Sequence, residues 1–224
     1  MTSMKTSSLL KMAAITLVAG LFTGCATQNR SYDYSAFKQS RPTSILVLPP
    51  LNQSPEVNAT ASMLAQMTYP LAESGYYVLP VTLVAETFKN NGLHNAGEIH
   101  EVSIAKLHEI FGADAALYVT VTRYGATYTV FDSAAVVSAT GKLVDLKTGA
   151  MLWEGTATAS NNEGGNNGQG GLVGMLVAAV VKQIMNNVTD ASHPVAGITS
   201  QRLLVAGRPN GMLFGPRSPN YQKD

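Results

Sequence analysis

One cysteine, Cys25, stands in a chain of 224 residues, and no other feature limits the possible folds as much. A lone thiol cannot form an intrachain disulfide, so the fold must stand on its apolar core. Zinc and iron–sulfur motifs that need paired cysteines are excluded with it. Cys25 also closes a segment with the three parts of an export signal. Lys5 and Lys11 supply positive charge, Met12 to Phe22 is apolar, and Thr23-Gly24 places small residues before a cut. That apolar stretch falls short of the ~20 residues that span a bilayer.

Leu21-Phe22-Thr23-Gly24-Cys25 resembles the bacterial lipobox, with Phe22 where leucine is commonest. The resemblance implies cleavage before Cys25 and acylation of its thiol. The covalent lipid on Cys25 is then the one non-protein group expected, with no cofactor and no metal. A single acyl chain holds a membrane weakly, and stable anchoring takes more than one; the lipobox modification supplies several. The next residue is Ala26 and not Asp, which under the sorting rule of such lipoproteins points to the outer membrane. The plain alternative is an ordinary signal peptide that leaves a free thiol.

Removing residues 1–24 leaves 200, enough for one domain with a sizeable core. Without Lys5 and Lys11, 13 of the 15 basic residues remain against 14 acidic ones. That near-neutral balance gives no footprint for nucleic acid. Charged residues make up 13% of the chain, about half of what a solvated domain usually carries, and 46% are apolar. Part of the surface is therefore expected to be covered by partners, in a homo-oligomer or a hetero-complex.

Along the chain, residues 25–43 read as a polar tether reaching roughly 60 Å when extended at about 3.3 Å per residue. Ile45-Leu46-Val47-Leu48, closed by Pro49-Pro50, reads as a strand buried on both faces. Ala59, Met63 and Met67 mark one face of a helix capped by Asn58 and stopped near Gly75. Tyr76 to Pro80 is the second strand, which makes a parallel βαβ unit. Thr82 and Ser103 are expected to cap two further helices, the second closed by Gly112. Leu117, Val119 and Val121 alternate with polar residues, as in a half-buried strand. Val130 to Leu146, a turn at Lys147-Thr148-Gly149, and Met151 to Ala159 continue it as an antiparallel meander. Residues 161–171 are almost wholly Asn, Gly, Gln and Glu and lack core material. The run from Leu172 to Val181 is apolar all round, and a helix there would need burial in this core or against a partner. Gly174, Leu176, Val177, Ala178 and Val181 are thus interface candidates, Gly174 and Ala178 because two small residues four apart allow close helix approach. Trp153, the lone tryptophan, reads first as core and second as an interface anchor. The division expected is a signal over 1–24, a tether over 25–43, a domain over 44–200 and an irregular arm over 201–224.

Four segments carry a family resemblance. They are Gly75-Tyr76-Tyr77-Val78-Leu79-Pro80-Val81, Phe111-Gly112-Ala113-Asp114-Ala115, Leu143 to Trp153 with its Asp145-Leu146-Lys147-Thr148-Gly149, and Gly215-Pro216-Arg217-Ser218-Pro219. In this order, behind a lipobox, the chain resembles the GNA-antigen family of bacterial outer-membrane lipoproteins. The middle motifs are also similar to TolB N-terminal domains and to the curli-secretion lipoprotein CsgG. The resemblance implies an α/β fold of the TolB N-terminal type: a βαβ unit and an antiparallel meander in one mixed sheet packed by helices. It implies an envelope protein without catalytic residues to carry over.

The residues themselves assemble no reaction. His94, His100 and His108 lie among Glu98, Glu101 and Glu109, but their spacing matches no His-Glu-x-x-His pattern, and they read as solvated turn and helix-surface residues. The glycine-rich Gly164–Gly171 is followed by Leu172-Val173-Gly174 where a phosphate loop needs Gly-Lys-Ser/Thr. There is no Gly-x-Ser-x-Gly elbow. The leading expectation is a non-enzymatic, outer-membrane-anchored periplasmic lipoprotein. It would act by protein–protein contact as an accessory subunit of an envelope transport or secretion complex, with other envelope lipoproteins, CsgG-like ones included, as partners. A regulator of a peptidoglycan synthase, its tether spanning the gap to the wall, is the alternative. A metal- or ligand-binding enzyme is the third reading.

Overall fold

Ile45, Leu46, Val47 and Leu48 are all fully buried, which requires cover on both faces of the strand they form. The computed structural model describes residues 32–128, 133–163 and 191–223, and it supplies that cover. In chain order the elements are α1 (Ser35–Ser40), β1 (Ser44–Val47), β2 (Leu51–Asn52), α2 (Ala59–Glu73), β3 (Tyr77–Val78) and α3 (Val81–Asn90). Then follow α4 (Ala96–His100), α5 (Ile104–Phe111), β4 (Ala115–Tyr128), β5 (Ser133–Asp145), β6 (Met151–Ser160) and α6 (Ser192–Leu204). The sheet runs β3-β1-β4-β5-β6, with β2 also paired to β4. β1 is parallel to β3 and to β4, whereas β4, β5 and β6 are antiparallel. This is the expected βαβ unit and meander in one mixed sheet.

Alternation sends successive β1 side chains to opposite faces. On one face Leu46, Leu48, Ala116 and Leu146 pack with Val84 and Phe88 of α3, Ile99 of α4 and Leu107 of α5. On the other, α2 and α6 pack against each other, and α6 also lies on β5 and β6. Met63, Met67 and Leu71 of α2 and Val195, Leu203 and Leu204 of α6 are buried there. Pro49-Pro50 cannot donate to the ladder, so β1 stops and β2 resumes one residue out of step with β4. A second irregularity, at Leu143/Val144 opposite Trp153 and Met151, leaves Leu152 as the extra residue. It lets Leu152 and Trp153, adjacent in sequence, both be buried.

Several local expectations hold. Ser103 accepts from the Lys106 amide and caps α5, and Gly112 ends that helix in a left-handed conformation. Others need correction. Asn58 stands at the head of α2 without capping it through its side chain. α3 begins at Val81, so Thr82 lies inside it, because Pro80 already holds φ near helical values (φ −57°). α6 goes unread in the sequence because its buried face includes Ser192, Thr199 and Ser200. Thr199 donates to the Val137 carbonyl of β5 (3.1 Å), and Ser200 to the Gln66 carbonyl of α2 (3.0 Å). Small hydroxylated side chains thus bring α6 close while staying satisfied. The stretch 201–204 belongs to this helix and not to the arm.

The tether is shorter than its composition suggests. Asp33–Asp224 forms one unit, so the fold starts eleven residues before the expected start at 44. α1 carries Phe37, which is buried, and Tyr34 donates to the Gly211 carbonyl. One well-placed aromatic is enough to dock an otherwise polar segment. Replacing it with alanine should cost about 3 kcal/mol and lower the melting temperature by roughly 6–12 °C. A Phe37→Ala variant with an unchanged melt would return residues 33–43 to the tether.

Candidate interaction site

The four motifs of the resemblance meet in pairs. Gly112 turns the chain out of α5 (φ +62°) and delivers Asp114 to the start of β4. One carboxylate oxygen of Asp114 accepts from the Thr43 amide (3.0 Å) and hydroxyl (2.5 Å), and from the Ser44 amide (3.1 Å) and hydroxyl (3.0 Å). The other accepts from Lys147 Nζ at 2.9 Å. Burial works to raise the Asp114 pKa, but the bonds from Thr43, Lys147 and Ser44 outweigh it and hold the carboxyl far below its usual range. Thirty-one residues on, Asp145 shapes the β5–β6 turn. It accepts from the amides of Lys147 (2.8 Å) and Thr148 (2.7 Å) and from the Ser40 hydroxyl. Burial opposes its ionisation too, and the bonds from Ser40, Thr148 and Lys147 keep its pKa lowered. The Ala-Asp and Asp-Leu-Lys-Thr-Gly motifs are thus one clamp on the entering chain.

The other pair joins the chain's far end to β3. Gly75 has φ +96°, and a Cβ on it would stand 2.4 Å from the Ser218 amide nitrogen. Only glycine allows this approach. The Gly215 amide donates to the Ser74 carbonyl (2.8 Å), the Arg217 amide to the Gly75 carbonyl (3.0 Å), and the Tyr76 hydroxyl to the Leu213 carbonyl (2.6 Å). The Arg217 guanidinium lies 5.3 Å from the centre of the Tyr77 ring. The C-terminal arm is irregular, as expected, but docked.

Two hollows flank these joints. A cavity of about 250 Å³ lies between α1 and the arm, with Phe37, Tyr76, Phe214 and Tyr221 around it and Lys38 and Arg41 beside it. A more open groove of about 420 Å³ runs along the β3 edge and α3, lined by Tyr77, Leu79, Leu83 and Phe111. Leu83 is 65% exposed and Tyr77 47%, large for apolar side chains on so little charge. β3 is the sheet edge, and Tyr77 and Leu79 donate inward to Thr43 and Ile45. Alternation therefore turns the Val78 amide outward.

The interface residues expected from sequence separate from this surface. Trp153 is 1% exposed, and its Nε1 donates to the Asn210 carbonyl at 3.1 Å. Its ring lies across Gly155, where a Cβ would meet it at 2.3 Å. The anchor role is corrected by that burial: Trp153 is core. Cys25, Gly174, Leu176, Val177, Ala178 and Val181 lie outside the described residues. His94 is exposed. His100 belongs to α4 and not to the preceding turn; it bonds the Pro49 carbonyl (3.0 Å) and meets Tyr118 edge-on. Burial pushes its pKa down against the Pro49 bond. His108 bonds the Ala113 carbonyl. Among the described residues no three His, Cys, Asp or Glu side chains are placed to hold a metal ion.

One pairing was not visible in the sequence. Ser62 Oγ lies 2.7 Å from His193 Nδ1 and accepts from the Tyr124 hydroxyl at 2.8 Å. A hydroxyl beside an imidazole is the geometry of a nucleophile and base. Here the imidazole's other nitrogen meets Gln66 at 3.0 Å, which carries no charge to support an imidazolium. The set fastens α2, α6 and β4.

Depressed carboxyl pKa values mean that stability is present above the unfolded value, 3.8, and is lost as pH falls below it toward the folded values. At pH 7, Asp114→Ala should cost about 2 kcal/mol, the loss of bonds to a charged group, or roughly 4–8 °C in melting temperature. The gap between the two proteins should narrow from pH 5 to pH 2. Thermal melts across that range check it; a constant gap would exclude the charge from the clamp.

Residues 32–217 match the family described as "Putative lipoprotein GNA1162-like". "Putative lipoprotein NMB1124/NMB1162" of Neisseria meningitidis serogroup B is 53% identical over 186 residues, 83% of this chain and 86% of the relative. The crystal structure of lipoprotein GNA1162 from Neisseria meningitidis is 56% identical, with a TM-score of 0.53, over 65% of this chain and 100% of that one. The LpoB C-terminal domain from Escherichia coli matches at 16% identity and a TM-score of 0.36, over 53% of this chain and 83% of that one. A likeness that slight marks neither an activity nor a partner.

Proposed function

The chain belongs to the GNA1162-like family of lipoproteins, and from that premise we propose that acyl chains on Cys25 hold it at the outer membrane. There it serves as a non-enzymatic accessory subunit of an envelope transport or secretion complex, acting by protein–protein contact. The observation that carries the reading is the start of the fold at Asp33. Eight residue steps lead to it from Cys25, a reach of at most roughly 28 Å. A leash that short keeps the domain beside its own membrane. It supports this reading over the alternative, a regulator of a peptidoglycan synthase, which would be served by a longer tether.

The β3 edge is the contact surface this reading uses. An extended, apolar segment of a membrane-bound partner fits there. Its backbone would pair with the outward Val78 amide and its side chains would cover Leu83 and Phe111.

Two measurements test this. Cells fed a palmitate analogue should label the wild-type chain and not Cys25→Ser; an unlabelled wild type sinks the anchor. Crosslinking in intact envelopes should trap partner proteins, and Leu83→Glu should lose them while its melt moves by no more than about 0.5 kcal/mol, as an exposed substitution should. A wild-type chain that crosslinks to nothing ends the subunit reading.

A further inference from the structure

The α1 segment and the C-terminal arm border a half-open cavity that partner contact at β3 does not use. Phe37 comes from the entering chain, Tyr76 from the turn before β3, and Phe214 and Tyr221 from the departing arm. An apolar cavity of roughly 150 Å³ already admits benzene, and this one measures about 250 Å³. Lys38 and Arg41, both exposed, stand beside it three residues apart. Among the described residues neither has a carboxylate within 4.0 Å. Two neighbouring cations repel each other, and an anion placed between them removes that repulsion. The backbone at the cavity is unusual as well. Arg41 (φ +48°) and Gln222 (φ +62°) are two of the three described non-glycine residues in the left-handed region, and both line it. Such conformations persist where surrounding structure enforces them, and they gather at ligand sites.

We propose that this cavity binds an anionic amphiphile. A carboxylate or phosphate head sits between Lys38 and Arg41, and the acyl chain runs across Phe37, Tyr76 and Phe214. The site needs only the folded unit. The choice of a membrane lipid as its source rests on the anchor at Cys25, whose short leash keeps α1 near the bilayer.

The test uses a chain beginning at Ala26, which retains the whole Asp33–Asp224 unit. Calorimetry with dodecanoate, dodecanol and inorganic phosphate separates head from tail. Dodecanoate should bind at least about tenfold more tightly than dodecanol, the difference made by charge-assisted hydrogen bonds. Phosphate alone should bind more weakly than dodecanoate. K38Q/R41Q should lower dodecanoate affinity to that of dodecanol. Should that variant melt early, amide shifts induced by dodecanoate in the unsubstituted chain, confined to α1 and the arm, locate the site equally well. Equal affinity for dodecanoate and dodecanol, phosphate binding as tight as dodecanoate, shifts elsewhere, or no binding would overturn the proposal. Sedimentation with phosphatidylglycerol or phosphatidylcholine vesicles then separates the sources. Retention on the anionic vesicles alone assigns the bilayer, and dodecanoate binding without retention assigns a free amphiphile. Because this chain carries no anchor, its result is independent of acylation at Cys25 and of partner crosslinks.

Discussion

The Asp114 carboxylate ties together three stretches far apart in sequence. Thr43 and Ser44 bring the entering chain, Lys147 brings the β5–β6 turn, and Asp114 itself opens β4. Without it, β1 would take its register between β3 and β4 from apolar contact and from ladder hydrogen bonds that a slipped register could also make. Apolar contact is non-directional, and a one-residue slip would invert which side chains of Ile45 to Leu48 face which helices. A fixed charge with directed donors removes that ambiguity. Asp145 repeats the device one turn away, with Ser40 as its link to α1. A chain without a disulfide thus pins its N-terminal segment electrostatically.

The same logic gives the short motifs of this chain a structural role. Each pair closes a joint between distant segments. Asp114 with Lys147 fastens the chain's entry; Gly75 with Gly215 and Ser218 fastens its exit. Residues at these joints are constrained by geometry: a carboxylate because it accepts many bonds at once, a glycine because a Cβ would strike backbone. Both joints lie at the β3–β1 end of the sheet, and their meeting leaves the cavity between α1 and the arm. Among the described residues the joints leave two surfaces open. These are the β3 edge with Leu83, and the hollow beside Lys38 and Arg41.

What the sequence made legible followed physical signals that act locally. The continuous apolar run of β1, the alternation of Leu117, Val119 and Val121, the Ser103 cap and the turn at Gly149 depend on neighbours in the chain, and each stands where expected. The family resemblance, carried by runs of adjacent residues, is legible for the same reason. Other features depend on partners distant in sequence. The docking of residues 33–43 turns on Phe37 finding a site among side chains that composition does not reveal. α6 escaped notice because its buried threonine and serine satisfy themselves against carbonyls of β5 and α2. Trp153 could be core or anchor until its ring was seen against Gly155.

By itself, then, the sequence pointed to a family of lipoproteins, left its core free of thiol chemistry, and placed a βαβ unit before a meander. These are consequences of composition and short-range periodicity. Only the tertiary structure decided where the folded unit begins and which apolar residues remain at the surface. Its start depends on which residue docks first. The exposed set depends on which side chains the two joints and α6 cover. Both are set by contacts between residues more than a hundred positions apart, such as Ser40 with Asp145 and Ser74 with Gly215. No local pattern encodes a contact at that separation, because its energy depends on the positions of both partners in the completed fold.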